Sequence, residues 1–333
     1  MKRVLIVKTS SMGDVIHTLP ALTDARQADP SIVFDWVVEE GFSAIPNWHP
    51  AVERVIPIAI RRWRKHLQDA TTWREWRQYR QELRALNYDA IIDAQGLLKS
   101  AFFAARQARG PHFGFDWHSA REPLASLFYD RRLRVVWGQH AVERTRQLFA
   151  QALGYRLPDQ PGDFGLQQRF PRQHDSQKVV CLHATTRADK HYPEEYWRDV
   201  LQRLGAAGFQ VQLPWGLKRE QQRAQRLAEG LSHVEVLPKL GLTQVAEVLA
   251  GARGVIAVDT GLAHLTAALG VPNLMLFGPT DPALVGGYGE RQCWLEARQF
   301  SAPEGSVVEP EVFRSLTPER VWQRWLQLLE ESQ

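Results

Sequence analysis

Short apolar runs alternate with helix-period segments twice along this chain, and a stretch rich in Pro, Gly and Gln separates the two series. The first series opens with Val4-Leu5-Ile6-Val7 and continues through strand-like runs at 32–38, 55–60 and 90–93. Helical periodicity falls between them, at 15–28, 73–86, 97–109 and 141–153. A continuous apolar run is how a strand buried on both faces reads, and strands alternating with helices predict a parallel sheet covered on both sides. Residues 156–177 interrupt this pattern with Pro158, Pro161, Gly162, Gly165 and Pro171, the chemistry of a linker. The alternation then restarts, with strands at 179–182, 209–213, 234–236, 255–258 and 274–277 and helices at 194–204, 219–228, 243–249 and 262–269. A last helix spans 317–330, with Thr317 as N-cap and Pro318 in its first turn.

The expected class is α/β, with two Rossmann-like domains facing a cleft. The expected bounds are an N-terminal domain at 1–160, a linker at 161–177, a C-terminal domain at 178–315, and a helix at 316–333 packing back on the N-terminal domain. A length of 333 residues suits about two domains. Two cysteines, Cys181 and Cys293, support neither a disulfide framework nor a zinc knuckle. The apolar run after Met1 is four residues long, too short for a signal peptide, and no run of about 20 apolar residues exists. A cytoplasmic protein is expected.

Charge is uneven. The chain has 41 Lys+Arg against 37 Asp+Glu, and the excess lies in the first half. Residues 54–84 hold nine cations and three anions, which suggests either a solvated face or an anionic partner. Within the densest run, Arg61 to Lys65, Trp63 is the only aromatic. A nucleic-acid groove interleaves cations with stacking aromatics, so no nucleic acid is expected. Trp73, Trp76 and Tyr79 recur at spacings of three, as a packing stripe does.

Ligands of open α/β sheets bind at the carboxyl ends of strands, so the loops after strands are informative. Lys8-Thr9-Ser10-Ser11-Met12-Gly13-Asp14 is neither a dinucleotide fingerprint nor a P-loop. Asp14 is there either a helix cap or a carboxylate base. A helix N-terminus lowers carboxylate basicity, so such a base acts as an ionised acceptor. The loop from His183 to Lys190 offers Thr185, Thr186 and Lys190 to a phosphate, or is an ordinary polar loop. Asp259-Thr260-Gly261-Leu262-Ala263-His264 is a tight turn opening a helix, a further anion cradle; His264 is either part of it or a half-buried packing residue. Together these loops suggest a nucleotide diphosphate held by the second domain and attacked from the first.

The segments KTSSMGDVIHTLPAL, FDWVVEEGF, IRRWRK, DAQGLLKS, LHATTRADKHYPEEYW and VDTGLAHLTAALGVPNLMLFGPTDP occur in order between Lys8 and Pro282, and the similarity they carry runs from Lys2 to about Gly289. Together they resemble the ADP-heptose lipopolysaccharide heptosyltransferases. The similarity is greatest to the branch that adds the first heptose to the Kdo of the inner core. The resemblance implies a GT-B fold and inverting transfer of L-glycero-D-manno-heptose from ADP-heptose to Kdo2-lipid A, without a cofactor or an obligatory metal. It implies Asp14 as general base and Lys190 as the cation on the leaving diphosphate. It further implies Thr185, Thr186, Glu220, Leu240, Asp259, Thr260, Gly261 and His264 on the donor. On the acceptor it implies Ser10, Arg61, Arg62, Arg64, Lys65, Lys99, Arg121, His140 and Arg144. Because the acceptor is a lipid, peripheral contact with the cytoplasmic face of the inner membrane is expected. A second heptosyltransferase and a non-catalytic nucleotide-binding module are the competing readings.

Overall fold

The computed structural model describes residues 1–173, 176–303, 305 and 307–332. The chain divides into two compact units, 1–165 and 166–333. His174 and Asp175 of the expected linker lie outside the described residues, as do Glu304 and Ser306 of the expected C-terminal domain and Gln333 at the end of the last helix.

Unit 1 contains strands β1 (Lys2–Val7), β2 (Ile32–Glu39), β3 (Val52–Ile58), β4 (Ala90–Asp93), β5 (His112–Phe115) and β6 (Arg131–Leu133). Its helices are α1 (Met12–Ile16), α2 (Leu19–Ala28), α3 (Ile60–Trp63), α4 (Ala70–Arg84), α5 (Leu98–Phe103) and α6 (Ala141–Leu153). The strands are all parallel, in the order β3-β2-β1-β4-β5-β6. The chain winds outward one way from β1 and then the other way from β4. The switch lies between β1 and β4, paired from Val4↔Ala90 to Val7↔Asp93.

One face of this sheet is covered by α4, whose Tyr79 and Leu83 are buried with Leu5, Val7, Ile56 and Ile91. On the other face α2 packs on α6, and Phe34 meets Phe149. Arg146 of α6 is 2% exposed, forks onto Asp24 of α2 at 2.6 Å and also bonds the carbonyl of Gln160. A buried guanidinium keeps its charge only with such partners.

Unit 2 repeats the plan with β7 (Lys178–Leu182), β8 (Gln210–Leu213), β9 (Val234–Val236), β10 (Gly254–Val258), β11 (Asn273–Phe277) and β12 (Gln292–Glu296). Its helices are α7 (Glu194–Ala206), α8 (Lys218–Ala228), α9 (Leu242–Ala250), α10 (Gly261–Ala268), α11 (Pro282–Val285) and α12 (Pro318–Glu331). The order β12-β11-β10-β7-β8-β9 is again doubly wound, with its switch between β7 and β10.

Several elements differ from the sequence expectation. The single helix expected at 15–28 is two, α1 and α2, because Pro20 has no N–H to donate into a continuous helix. The helix expected at 97–109 ends at Phe103, where Ala104 leaves the helical region. Strands β5, β6 and β12 were not expected. The final helix was expected on the N-terminal domain. Instead its apolar stripe, Val321, Trp325, Leu328 and Leu329, is buried in unit 2 with Trp197, Leu201 and Leu274. Of the aromatic stripe, Trp76 and Tyr79 pack with Trp63, whereas Trp73 is half exposed.

Candidate active site

Each unit presents a polar cluster at its own switch point. In unit 1, β1 delivers Lys8 to the end of the sheet, where its ammonium is buried. Lys8 Nζ donates to the carbonyl of Ala94 at 2.8 Å and lies 3.7 Å from Asp14 Oδ1. The loop after β1 is fixed by Gln95 Oε1, which accepts the N–H groups of Thr9 and Ser10 at 3.0 and 3.1 Å. Gln95 itself follows β4, where buried Asp93 accepts from Ser100 Oγ, Tyr129 Oη and the Gln95 N–H. Gly96 turns this loop at φ +65°, a conformation glycine takes without strain.

Asp14 is not the N-cap of α1. Ser11 holds that position, and Asp14 sits in the first turn, its Oδ2 accepting the Ser11 N–H and Oγ–H at 2.8 Å each. Burial alone would raise the Asp14 pKa. The Lys8 ammonium, the two Ser11 hydrogen bonds and the Arg121 charge outweigh it and hold the carboxyl below its usual range. Lys8 is shifted downward by burial, against the pull of Asp14 and Asp93. The side chain of Asp14 remains 29% exposed. The result is an ionised carboxylate open to solvent in a cationic setting.

The expected acceptor residues fall into two groups and one exception. Ser10, Arg121 and Arg144 belong with Asp14: Arg121 acts on the charge of Lys8, Asp14 and Arg144. Arg144 is fixed, its guanidinium 3.7 Å from the Trp137 ring centre and donating to the Ser119 carbonyl at 2.7 Å. His140 caps α6 through Nδ1, which accepts the Val142 N–H, and its ring meets His17 edge-on. Arg61 and Lys99 form a second group around Glu39, whose carboxylate accepts the Arg61 N–H and feels both cations. Arg64 and Lys65 follow α3 and are exposed. Arg62 is the exception: it forks onto Glu40 and reaches Glu75 at 2.9 Å, so its charge is already matched.

In unit 2 the centre is Asp259, at the end of β10. Its Oδ2 accepts from Lys190 Nζ at 2.5 Å and from Thr280 Oγ1 at 2.7 Å, and its Oδ1 lies 3.8 Å from His264 Nε2. Thr185 Oγ1 reaches the Asp259 carbonyl at 3.5 Å. Thr260 is the N-cap of α10 and Gly261 its first residue; the Thr260 side chain makes no cap hydrogen bond. Free N–H groups of a first turn and a cation held beside them favour an anion. Thr186 is exposed. Glu220 caps α8, its Oε2 accepting the N–H groups of Gly216 and Leu217 at 2.8 and 2.9 Å. Leu240 is half-buried between β9 and α9.

Sequence reasoning missed Lys8 and Gln95, and it reads the turn 278–282, which carries Thr280, only as one more anion cradle. A lysine closing an apolar strand signals a buried charge, and Thr280 lies in a turn after a strand. Gln95 gives no such signal, because its role comes from strand order. Among the described residues no cluster of three or more His, Cys, Asp or Glu side chains is placed to hold a metal ion.

Comparison with known proteins gives a consistent picture. Residues 76–310 match the model of glycosyltransferase family 9 (heptosyltransferase). The chain is 60% identical over 312 residues to lipopolysaccharide heptosyltransferase 1 of Escherichia coli O18:K1:H7 (strain RS218 / NMEC), covering 92% of this chain and 96% of that protein. The solved structure of E. coli heptosyltransferase WaaC with ADP is similar at a TM-score of 0.91 and 55% identity, over 98% of this chain and 99% of that one. The same enzyme with ADP-2-deoxy-2-fluoro heptose matches at 0.88, also at 55% identity, with the same coverage.

Proposed function

This chain belongs to glycosyltransferase family 9, the heptosyltransferases, and is an enzyme of the heptosyltransferase I type; from that premise we propose that it moves L-glycero-D-manno-heptose from ADP-heptose onto a Kdo hydroxyl of Kdo2-lipid A. The observation that carries the mechanism is the opposite arming of the two switch points. Unit 1 holds an ionised, accessible carboxylate amid cations, and unit 2 holds a lysine beside a helix N-terminus.

The transfer is written as an inverting displacement. The acceptor oxygen forms a bond to heptose C1 as the C1–O bond to the diphosphate breaks, and the hydroxyl proton passes to Asp14. The bonding pair leaves with ADP. The charge that grows on its β-phosphate is met by Lys190, the α10 N–H groups and the Thr185 and Thr186 hydroxyls. Fixed donors aimed at developing charge stabilise the transition state more than the ground state. Asp259 orients Lys190, and Thr280 orients Asp259. Glu220 and Leu240 are assigned to the ribose and the adenine. The cations Arg61, Arg64, Lys65, Lys99, Arg121 and Arg144 receive the anionic acceptor, while Arg62 fixes the turn that carries three of them. No metal enters this scheme, and no helix among the described residues is long and apolar enough to cross a membrane. The lipid acceptor then calls for peripheral contact with the inner membrane.

Mass spectrometry of the product from purified protein, ADP-heptose and Kdo2-lipid A tests the assignment. The expected result is a gain of one heptose, unaffected by chelator. Transfer only to an acceptor that already carries heptose would overturn the acceptor, and activity that a chelator abolishes and a divalent ion restores would overturn the metal-free scheme.

A further inference from the structure

We propose that unit 1 carries a groove for one acyl chain of the acceptor lipid, beside the basic turn that receives the charged head; the inference rests on the acceptor reading above. A cavity of about 410 Å³ lies where α3, α4 and α5 converge. Trp63, Trp76 and Phe103 form its wall, packed edge to face on one another. Leu67, Trp73 and Phe102 line it too, and each is at least half exposed. Apolar side chains left in water at this density mark a contact surface, and the volume lies in the range of small-molecule sites, about 300–1,000 Å³.

Charge selects the occupant. Arg64 belongs both to the basic turn and to the wall of the cavity. Arg80 lines it as well, and its buried Nε has no hydrogen-bond partner among the described residues. Arg80 also borders a second cavity of about 350 Å³ with Arg77 and Arg84. An apolar trough with unmatched guanidinium groups along its rim complements an anionic amphiphile. The trough is concave, so it encloses a single chain, whereas a flat bilayer meets a protruding face. Continuity through Arg64 ties it to the acceptor.

The test compares wild type with the Trp73→Ala/Phe102→Ala variant on two acceptors, acylated Kdo2-lipid A and its fully deacylated, water-soluble form. Both replaced side chains are half exposed, and turnover of the deacylated acceptor reports an intact fold. The expected result is a KM for the acylated acceptor raised roughly tenfold, with the deacylated acceptor and ADP-heptose unchanged. An unchanged KM for the acylated form, or an equal rise for both acceptors, overturns the groove. Co-sedimentation with phosphatidylglycerol vesicles lacking acceptor is the second arm. If the variant loses vesicle binding in proportion to its KM change, the face docks a bilayer and the acyl assignment fails. Failure of the wild type with both acceptors would instead overturn the acceptor reading, and the groove with it.

Discussion

Asp14 combines a lowered pKa with a side chain that stays partly exposed beside a buried lysine. Its ionised form is secured by Lys8 and Ser11, so it needs no activation before the acceptor arrives. Asp14→Asn is expected to keep donor affinity and lower turnover roughly 10²- to 10⁴-fold, the usual worth of a general base. Turnover within threefold of wild type would leave Asp14 as a structural carboxylate only. A carboxyl held below 3.8 stays ionised through the neutral range, so the rate should show no acid limb from Asp14 above about pH 5. Lys190 has a different weight, because it also neutralises the nearly buried Asp259. Lys190→Ala should weaken ADP-heptose binding by about 1.5–3 kcal/mol, the range for a charged hydrogen bond. Titration calorimetry checks this, and unchanged affinity together with unchanged turnover would remove Lys190 from the donor site. Asp14 and Lys190 were legible from loop position and motif. Lys8 and Thr280 sit at positions the sequence signals, at a strand end and in a turn after a strand, but their partners lie across a strand switch or across two loops and leave no spacing in the sequence.

The basic turn behaves as an element because its cations divide the work. Arg62 is pinned between Glu40 and Glu75, while Arg61, Arg64 and Lys65 keep their charge outward. Neutralising those three together should raise the acceptor KM roughly tenfold, from about 0.5 kcal/mol for each exposed pair. The KM for ADP-heptose should stay where it is. Wild-type acceptor affinity should fall with salt, since screening acts over about 10 Å at 0.1 M, and the triple variant should respond less. Equal loss for both substrates would point to misfolding. The sequence displayed the density of these cations but not that one of them is already paired, which depends on Glu40 lying beyond β2 and Glu75 on α4. The missed strands have a shared cause. β5, β6 and β12 are three to five residues long, and Arg131-Arg132-Leu133 or Gln292 to Glu296 lacks the continuous apolar run by which inner strands announce themselves.

On the scale of the whole molecule, each unit buries a histidine in its neutral form. His49 accepts the Ala51 N–H at Nδ1 and meets Thr23 Oγ1 at 3.0 Å, and burial lowers its pKa to about 4. His183 follows β7, where burial, reinforced by Arg223 and His191, lowers it to about 3. A histidine kept neutral in the folded chain takes its proton only on unfolding. Its contribution is therefore present above 6.5 and lost as pH falls from 6.5 toward 4. Stability should drop by about 1.4 kcal/mol per histidine per pH unit in that window. Denaturant melts across pH check it, and His49→Gln should flatten the slope. An unaltered slope in that variant would show that His49 is not held neutral by its site.

The burial of α12 inside unit 2 has a consequence for recombination between relatives. The sheet of β7 to β12 is built wholly from 166–333, and Trp325 is buried in the core of that unit. A chimera joined near Gly165 inherits two complete sheets, each with its own covering helices. A crossover at 315 gives the second sheet a foreign helix in place of Val321, Trp325 and Leu328, and Gly254, whose added Cβ would sit 2.6 Å from the Trp325 ring, would face a side chain of another shape. Exchange of donor specificity among such enzymes is therefore expected to travel as one block that includes the last helix. Chimeras cut ahead of that helix should be recovered only with compensating changes around Gly254.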